Sequence, residues 1–118
     1  MVFTNQGIKE IRDWLRGASA TAPTHIVCGS GTTSTDKTDT TLETEEHRET
    51  INSTTYGTDW VSFSILLDTT QENDVDLTEF GLINASTSGD LFQRAIHTVI
   101  SKHSQLEVEY EMRLRLIN

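Results

Sequence analysis

The clearest hydrophobic pattern lies near the C-terminal end of the chain, where apolar and charged residues alternate strictly. From residue 106 to residue 116, the even positions hold Leu, Val, Tyr, Met, Leu and Leu, and the odd positions hold Glu, Glu, Glu, Arg and Arg. A period of two places all the apolar side chains on one face of a β-strand, whereas a helix would scatter them. The pattern therefore predicts a long strand with an apolar inward face and a charged outward face.

Residues 60–67 show the same period over a shorter segment. Apolar residues occupy the odd positions from Val61 to Leu67, and Ser62 and Ser64 lie between them. This spacing fits a strand with one buried face.

Three other segments also predict strands. Thr24–Cys28 is a short β-prone segment that ends at two closely spaced glycines. Leu77–Asn84 and Leu91–Ile100 flank the turn-rich residues 85–90, an arrangement that suits a β-hairpin.

The segment from Leu42 to Thr55 is ambiguous. Thr40 and Glu43 have the spacing of a capping box, which starts helices, whereas the β-branched residues of 50–55 favour a strand. We interpret this segment as a turn followed by a strand.

One helix is predicted near the N-terminus, over about residues 5–16. Ile8, Ile11 and Leu15 recur at i, i+3 and i+7, with Trp14 beside them. Thr4 or Asn5 can cap the start of this helix, and Gly17 can end it. Because a helix of about three turns is marginal by itself, we expect its apolar stripe to pack against another surface.

These elements predict a mainly β protein. The expected fold is an antiparallel β-sandwich over about residues 24–118, with one short N-terminal amphipathic helix, in a single structural domain of 118 residues. Residues 29–41 consist almost wholly of Gly, Ser, Thr, Asp and Lys, a composition that buries little surface and predicts a long polar loop.

The charge balance narrows the classes of partner. Eighteen acidic residues against nine basic ones give a formal charge of -9, which repels the phosphate backbone, so we expect no nucleic-acid partner. No run approaches the length of apolar sequence that crosses a bilayer, so we expect no membrane partner either. Abundant acids, nineteen Thr and few Lys also raise the hypothesis of a halophilic source.

The sequence offers few candidate residues for catalysis or metal binding. The four histidines are not spaced along the chain so that two imidazoles would bind one metal ion; they are His25, His47, His97 and His103. Residues 68–79 resemble a calcium-binding loop but have Asn73 where that loop needs Gly. The lone cysteine, Cys28, cannot form an intramolecular disulfide. We therefore predict no catalytic residue, no metal site and no cofactor.

Two groups of residues are candidates for contact with another subunit. The outward charges of the C-terminal strand run from three acids to two bases. Such a row complements a copy of itself that runs antiparallel beside it, or the opposite charge pattern of a partner, although it also suits a solvated face. Trp14 and Trp60 are either rim residues of the core or anchors at a subunit contact. The candidate interface residues are Ile8, Ile11, Trp14, Leu15, Trp60, Glu107, Glu109, Glu111, Arg113 and Arg115.

The order of several short motifs resembles a known group of proteins. Gly29–Thr33 has the form G-x-G-T-T, Asp39–Glu45 has the form D-T-x-L-x-x-E, and Glu79–Ala85 has the form E-x-G-[LI]-x-[ND]-A. Together with the preceding helix and the final alternating strand, these motifs resemble the small tail-associated structural proteins of tailed bacterial and archaeal viruses. The resemblance covers nearly the whole chain.

This resemblance implies a non-enzymatic virion protein. Its members look like β-sandwich building blocks of the tail, the baseplate or the region where tail fibres attach. The expected partners are copies of the same chain in a symmetric ring or trimer and other virion structural proteins, assembled in the host cytoplasm. The alternatives are a head-decoration or turret subunit of the capsid, a cellular carbohydrate- or calcium-binding β-sandwich, and, least favoured, a small hydrolase.

Overall fold

Two antiparallel β-sheets and one short helix make up the fold in a computed structural model, which describes residues 2–117. The mainly β sandwich expected from the sequence is confirmed. The elements are β1 (Val2–Phe3), α1 (Asn5–Leu15), β2 (His25–Gly29), β3 (Glu45–Thr50), β4 (Ser53–Tyr56), β5 (Trp60–Leu67), β6 (Val75–Ile83), β7 (Leu91–Lys102) and β8 (Val108–Arg115).

The strands divide into a large sheet and a small sheet. The large sheet has the order β1-β7-β6-β2-β3, and the small sheet has the order β4-β5-β8. The hairpin expected between residues 77 and 100 is β6 and β7, joined by a turn in which Ser88 and Gly89 both adopt positive φ.

The alternating C-terminal segment forms β8 as predicted. It pairs with β5 in one unbroken register from Trp60 opposite Arg115 to Leu67 opposite Val108. Val108, Tyr110 and Met112 are buried, and the odd-numbered residues between them are exposed. The alternation of the sequence therefore gives β8 an apolar inner face and a charged outer face.

The main core lies between the two sheets. Its buried members come from five strands, namely β2, β6 and β7 of the large sheet and β5 and β8 of the small sheet, and Phe80 of β6 stacks on Tyr110 of β8 at 4.6 Å between ring centroids. The buried residues of this core are Ile26, Cys28, Ile65, Leu67, Leu77, Leu82, Phe92, Val108, Tyr110 and Met112.

The polar segment of residues 30–44 covers the outer face of the large sheet. It contains no strand or helix, as the sequence predicts, yet Gly31 and Leu42 within it are buried. Leu42 joins Val27, Ile83 and Leu91 in a second small core on that face. The large sheet is therefore covered on both faces, by the small sheet and by this loop.

Two strands of the structure were not predicted from the sequence. Residues 45–56 form two strands rather than one, and they belong to different sheets because the chain crosses from the large to the small sheet at Ile51 and Asn52. A further two-residue strand, β1, precedes the helix and pairs with residues 93 and 94 of β7.

Candidate functional site

Helix α1 is attached to the sandwich through its polar side. Thr4 is the N-cap residue: its hydroxyl oxygen accepts a hydrogen bond from the Gly7 amide at 3.1 Å and its hydroxyl donates to the Leu91 carbonyl oxygen. Gln6 Oε1 accepts from the Leu91 amide at 2.9 Å. Gly7 lies so close to the Phe92 backbone, 2.9 Å from where a Cβ would be, that a larger residue would push the helix away.

Two acidic side chains on the same side of α1 are largely buried. Glu10 Oε2 accepts from the Thr21 amide at 2.9 Å. Asp13 accepts from Arg12 and Arg16, whose hydrogen bonds lower the pKa of its carboxyl group. The Glu10 contact joins the helix to the following segment, and the Asp13 contacts lie within the helix and its C-cap.

The apolar side of α1 faces solvent and does not pack on the core of its own chain. Its contact with another subunit stays a prediction. Trp14 and Leu15 are 70% and 72% exposed, and Ile8 is 54% exposed. The physical reason is the docking of the helix by Thr4, Gln6 and Gly7, which turns the Gly7, Glu10 and Asp13 side inward. We refer to Ile8, Ile11, Trp14 and Leu15 together as the α1 surface.

A groove at the end of the sandwich continues the α1 surface. It has a volume of about 310 Å³ and lies between the helix and the end of the small sheet. Ile11 and Trp14 form one wall, and the half-buried Val61, Phe63 and Leu114 form the other. The apolar interior of the sandwich is therefore accessible beside the exposed helix face.

The charged candidates lie on the outer face of the small sheet. Arg113 places its guanidinium 3.9 Å from the ring centroid of Trp60, a cation–π contact that covers part of this half-buried side chain on the outer face. Glu111 lies 3.7 Å from Arg113, and Arg115 lies 3.1 Å from Asp59. Glu107 and Glu109 are exposed. The ten candidate residues thus form two separate groups, the α1 surface and the outer charges of the small sheet with Trp60.

A cluster of buried and hydrogen-bonded polar side chains contains none of the predicted site residues. Glu79 of β6 is fully buried, and its Oε1 accepts from Arg94 Nε at 2.9 Å and from the Glu43 amide at 3.0 Å. Its Oε2 accepts from the amides of Gly31 at 2.7 Å and Thr44 at 2.9 Å. One carboxylate therefore joins the two ends of the 30–44 loop to the large sheet.

Arg94 of β7 completes this cluster from the other side. Its Nη2 donates to the Thr33 carbonyl oxygen at 3.0 Å, and its Nη1 donates to the Ser34 carbonyl oxygen at 3.3 Å and to Asp39 at 3.2 Å. Glu43 in turn accepts from the amides of Thr32 and Thr33, and these bonds lower the pKa of its carboxyl group.

The cluster has the composition of an active site but the bonding of a structural clamp. Both oxygens of Glu79 are occupied by donors, and Arg94 is bonded through all three nitrogens. No lone pair of Glu79 and no N–H of Arg94 is left to act on a substrate. We therefore interpret the cluster as one that holds the loop on the sheet. A charged residue in the middle of each apolar strand, Glu79 in β6 and Arg94 in β7, is the sequence signal that could have indicated it.

The histidines have separate partners. His47 lies between Glu49 at 2.6 Å and Glu72 at 3.0 Å, and His97 Nε2 lies 2.8 Å from the Tyr110 hydroxyl. Over residues 2–117, no group of three or more His, Cys, Asp or Glu side chains is arranged to hold a metal ion.

Cys28 is buried in the main core. Desolvation raises the pKa of its thiol to about 12, with a smaller contribution from the nearby negative charge of Glu72. A thiol that remains protonated is a poor nucleophile.

Comparisons with protein-family models, with curated proteins and with solved structures find no match to this chain. In the described part of the chain, no helix has the length and apolar character needed to cross a membrane. The candidate functional features described above are the α1 surface with its groove and the outer face of the small sheet.

Proposed function

We propose that this chain is a non-enzymatic structural subunit of a tailed-virus particle, and that it associates with neighbouring subunits through the α1 surface. The proposal has two parts. Assembly is supported by the geometry of α1, and the placement in the tail, baseplate or fibre-attachment region of a virion is supported by the resemblance of the motif order.

The observation that carries the assembly function is the outward apolar side of α1. A helix on a globular protein ordinarily turns its apolar stripe to the core, and contiguous exposed apolar surface marks sites of protein contact. Here Trp14 and Leu15 are among the most exposed apolar residues of the chain, next to a groove that opens into the apolar interior. Tryptophan is also the residue type that most often dominates the energy of an interface.

The charges around the α1 surface favour a second copy as the neighbour. The chain carries a net charge of -9, whereas Arg12 and Arg16 border the apolar residues of the helix. A locally basic rim on an acidic protein complements the rest of the same protein's surface. A contact between the α1 surface and a different patch of the next copy is head-to-tail and closes into a ring when the rotation permits.

Sedimentation velocity on the wild-type protein and on the double variant Trp14→Ser, Leu15→Ser tests the assembly function. We expect the wild type to form a defined species larger than a dimer at high concentration and the double variant to lose it. Tyr56→Ser is the matched control, because Tyr56 is an 82% exposed aromatic outside the α1 surface. A wild type that stays smaller than a trimer at high concentration, in both low and molar salt, would overturn the proposal.

The placement in a virion has its own test. Mass spectrometry of tailed particles purified from a culture that carries the gene should detect this chain in multiple copies per particle. Its absence from such particles would remove the viral placement and leave the assembly function to be judged by sedimentation.

A further inference from the structure

Strand β8 has an open edge. It lies at the end of the small sheet and pairs only with β5. The Leu116 amide donates to the Asp59 carbonyl oxygen directly opposite it at 2.6 Å, so the even-numbered residues of β8 are the ones bonded to β5. The N–H and C=O groups of residues 109, 111, 113 and 115 consequently point away from β5, and no hydrogen bond from residues 2–117 reaches them.

The backbone of this edge lacks the features that usually block strand pairing. Natural edge strands are protected by bulges, prolines, short length or charged side chains, and β8 has only the charged side chains. The pairing of β8 with β5 shows no register shift over eight residue pairs, whereas the pairing of β7 with β6 shifts near Leu77. β8 contains no proline. It is therefore a straight, regular template for another strand.

We propose that β8 pairs antiparallel with β8 of a second copy, with Met112 opposite Met112 of the partner subunit. This two-fold arrangement places Glu111 opposite Arg113 of the partner subunit and Glu109 opposite Arg115 of the partner subunit. The two-fold axis repeats both pairs, so every charged residue from 109 to 115 faces the opposite charge. The small sheets of the two copies become one six-stranded sheet.

The backbone is compatible with the same register. In the register with Met112 opposite Met112, the odd-numbered residues of the two strands face each other. These are the residues whose N–H and C=O groups are free. Each facing pair exchanges two hydrogen bonds, which gives roughly eight across the interface. The interface thus pairs the groups that the single chain leaves open.

The charges select this register over its neighbours. Sliding one strand by two residues keeps the hydrogen bonding but places Glu111 opposite Glu111 of the partner subunit. Sliding it by two residues in the other direction places Arg113 opposite Arg113 of the partner subunit. Opposite charges directly across two strands are favourable and like charges are unfavourable. The side chains of Glu111 and Arg113 are about half exposed, 51% and 44%, so both can reach across the edge.

This inference deepens the proposed function, because β8 pairing gives a two-fold contact in addition to the contact made by the α1 surface. The two contacts involve different residues. Loss of one therefore leaves the other measurable.

The test uses charge reversal on the full chain. In Glu111→Arg, both copies present Arg at positions 111 and 113, and in Arg113→Glu both present Glu, so each homodimer contains two like pairs. We expect the dissociation constant of each homodimer to rise at least about tenfold, by sedimentation equilibrium. An equimolar mixture of the two variants restores every opposite pair and should form a heterodimer with near wild-type affinity.

Two further measurements complete the test. The double variant Glu111→Arg, Arg113→Glu exchanges the charges within one chain and should restore the homodimer. Hydrogen exchange followed by NMR should show the amides of 109, 111, 113 and 115 protected in the wild-type dimer and unprotected in the single variants. Thermal unfolding of each variant confirms that it is folded.

Homodimers of the single variants that are as tight as the wild type, or a mixture that fails to form the heterodimer, would overturn the inference. If Trp14→Ser, Leu15→Ser abolishes all association while the charge variants have no effect, the proposed function stands without β8 pairing. If the β8 dimer forms but no larger species does, the inference stands and the assembly role of the α1 surface fails.

Discussion

Arg94 Nε donates to Glu79 Oε1 across 2.9 Å, and the two side chains are 2% and 0% exposed. The pair lies on the outer face of the large sheet beneath the 30–44 loop. That loop has little apolar surface with which to attach itself, and Leu42 is its one buried large apolar residue. The ion pair and the backbone amides around it therefore supply most of the specific contacts that fix the loop.

Glu79→Gln should destabilise the protein strongly. The change preserves the shape of the side chain, but it removes the buried carboxylate that faces Arg94, leaves Asp39 as the remaining anionic partner of Arg94, and turns an amide group toward backbone donors. Removing one partner of a buried pair typically costs about 3–5 kcal/mol, and we expect a loss in this range by urea unfolding. Glu46→Gln is the control, because Glu46 bonds Ser30 at an exposed position and should change stability by less than about 0.5 kcal/mol. A loss below about 1 kcal/mol for Glu79→Gln would show that the pair does not hold the loop.

This clamp shows what the sequence could not predict. The loop composition correctly indicated a surface segment, and the motifs that include Gly31, Glu43 and Glu79 were recognised in order along the chain. Their convergence on one carboxylate depends on the β2–β6 and β6–β7 registers, which bring residues about 50 positions apart into contact. Hydrophobic periodicity carries no information on such pairings.

Acid should weaken the loop through Glu43. The amides of Thr32 and Thr33 lower the pKa of Glu43 in the folded protein, so the folded state binds this proton less readily than the unfolded chain. The resulting stabilisation is present above the unfolded pKa, near 4.5, and is lost as the pH falls through the lower folded value. Glu43→Gln should therefore show a shallower decrease of unfolding free energy between pH 6 and pH 3 than the wild type. Equal slopes for the two proteins would contradict this account.

The strands were easier to predict than the orientation of the helix. Strict alternation fixed the inward and outward faces of β8, because a period of two leaves one solution. The apolar spacing in α1 also predicted the helix, and of the two expected caps, Thr4 and Asn5, the structure uses Thr4, with Gly17 just past the other end. It did not predict that the polar side would face the protein, since that orientation is set by close contacts of Gly7 with Phe92 and of Gln6 with Leu91.

Cys28 should report on opening of the core. Burial raises its thiol pKa to about 12, so the folded protein contains almost no thiolate at pH 8 and should not react with iodoacetamide. In urea the thiol should react at the rate of an exposed cysteine, and labelling should follow the unfolding transition. Because the folded pKa lies above the unfolded value of 9.0, stability should fall as the pH rises above about 9. Rapid labelling of the native protein at pH 8 would show that the sandwich opens locally at β2.

Val108→Asp should unfold the protein, whereas Glu109→Gln should leave it folded. Val108 is 7% exposed in the main core, and its neighbour Glu109 is on the outer face of the same strand. An unpaired carboxylate on the inner face has no donor to replace water, and such changes belong to the small class that costs more than about 4 kcal/mol. Far-ultraviolet circular dichroism and urea unfolding at low protein concentration separate this effect from association. A folded Val108→Asp variant would mean that β8 is not held by its inner face, and the open edge on which β8 pairing depends would then lack a rigid strand.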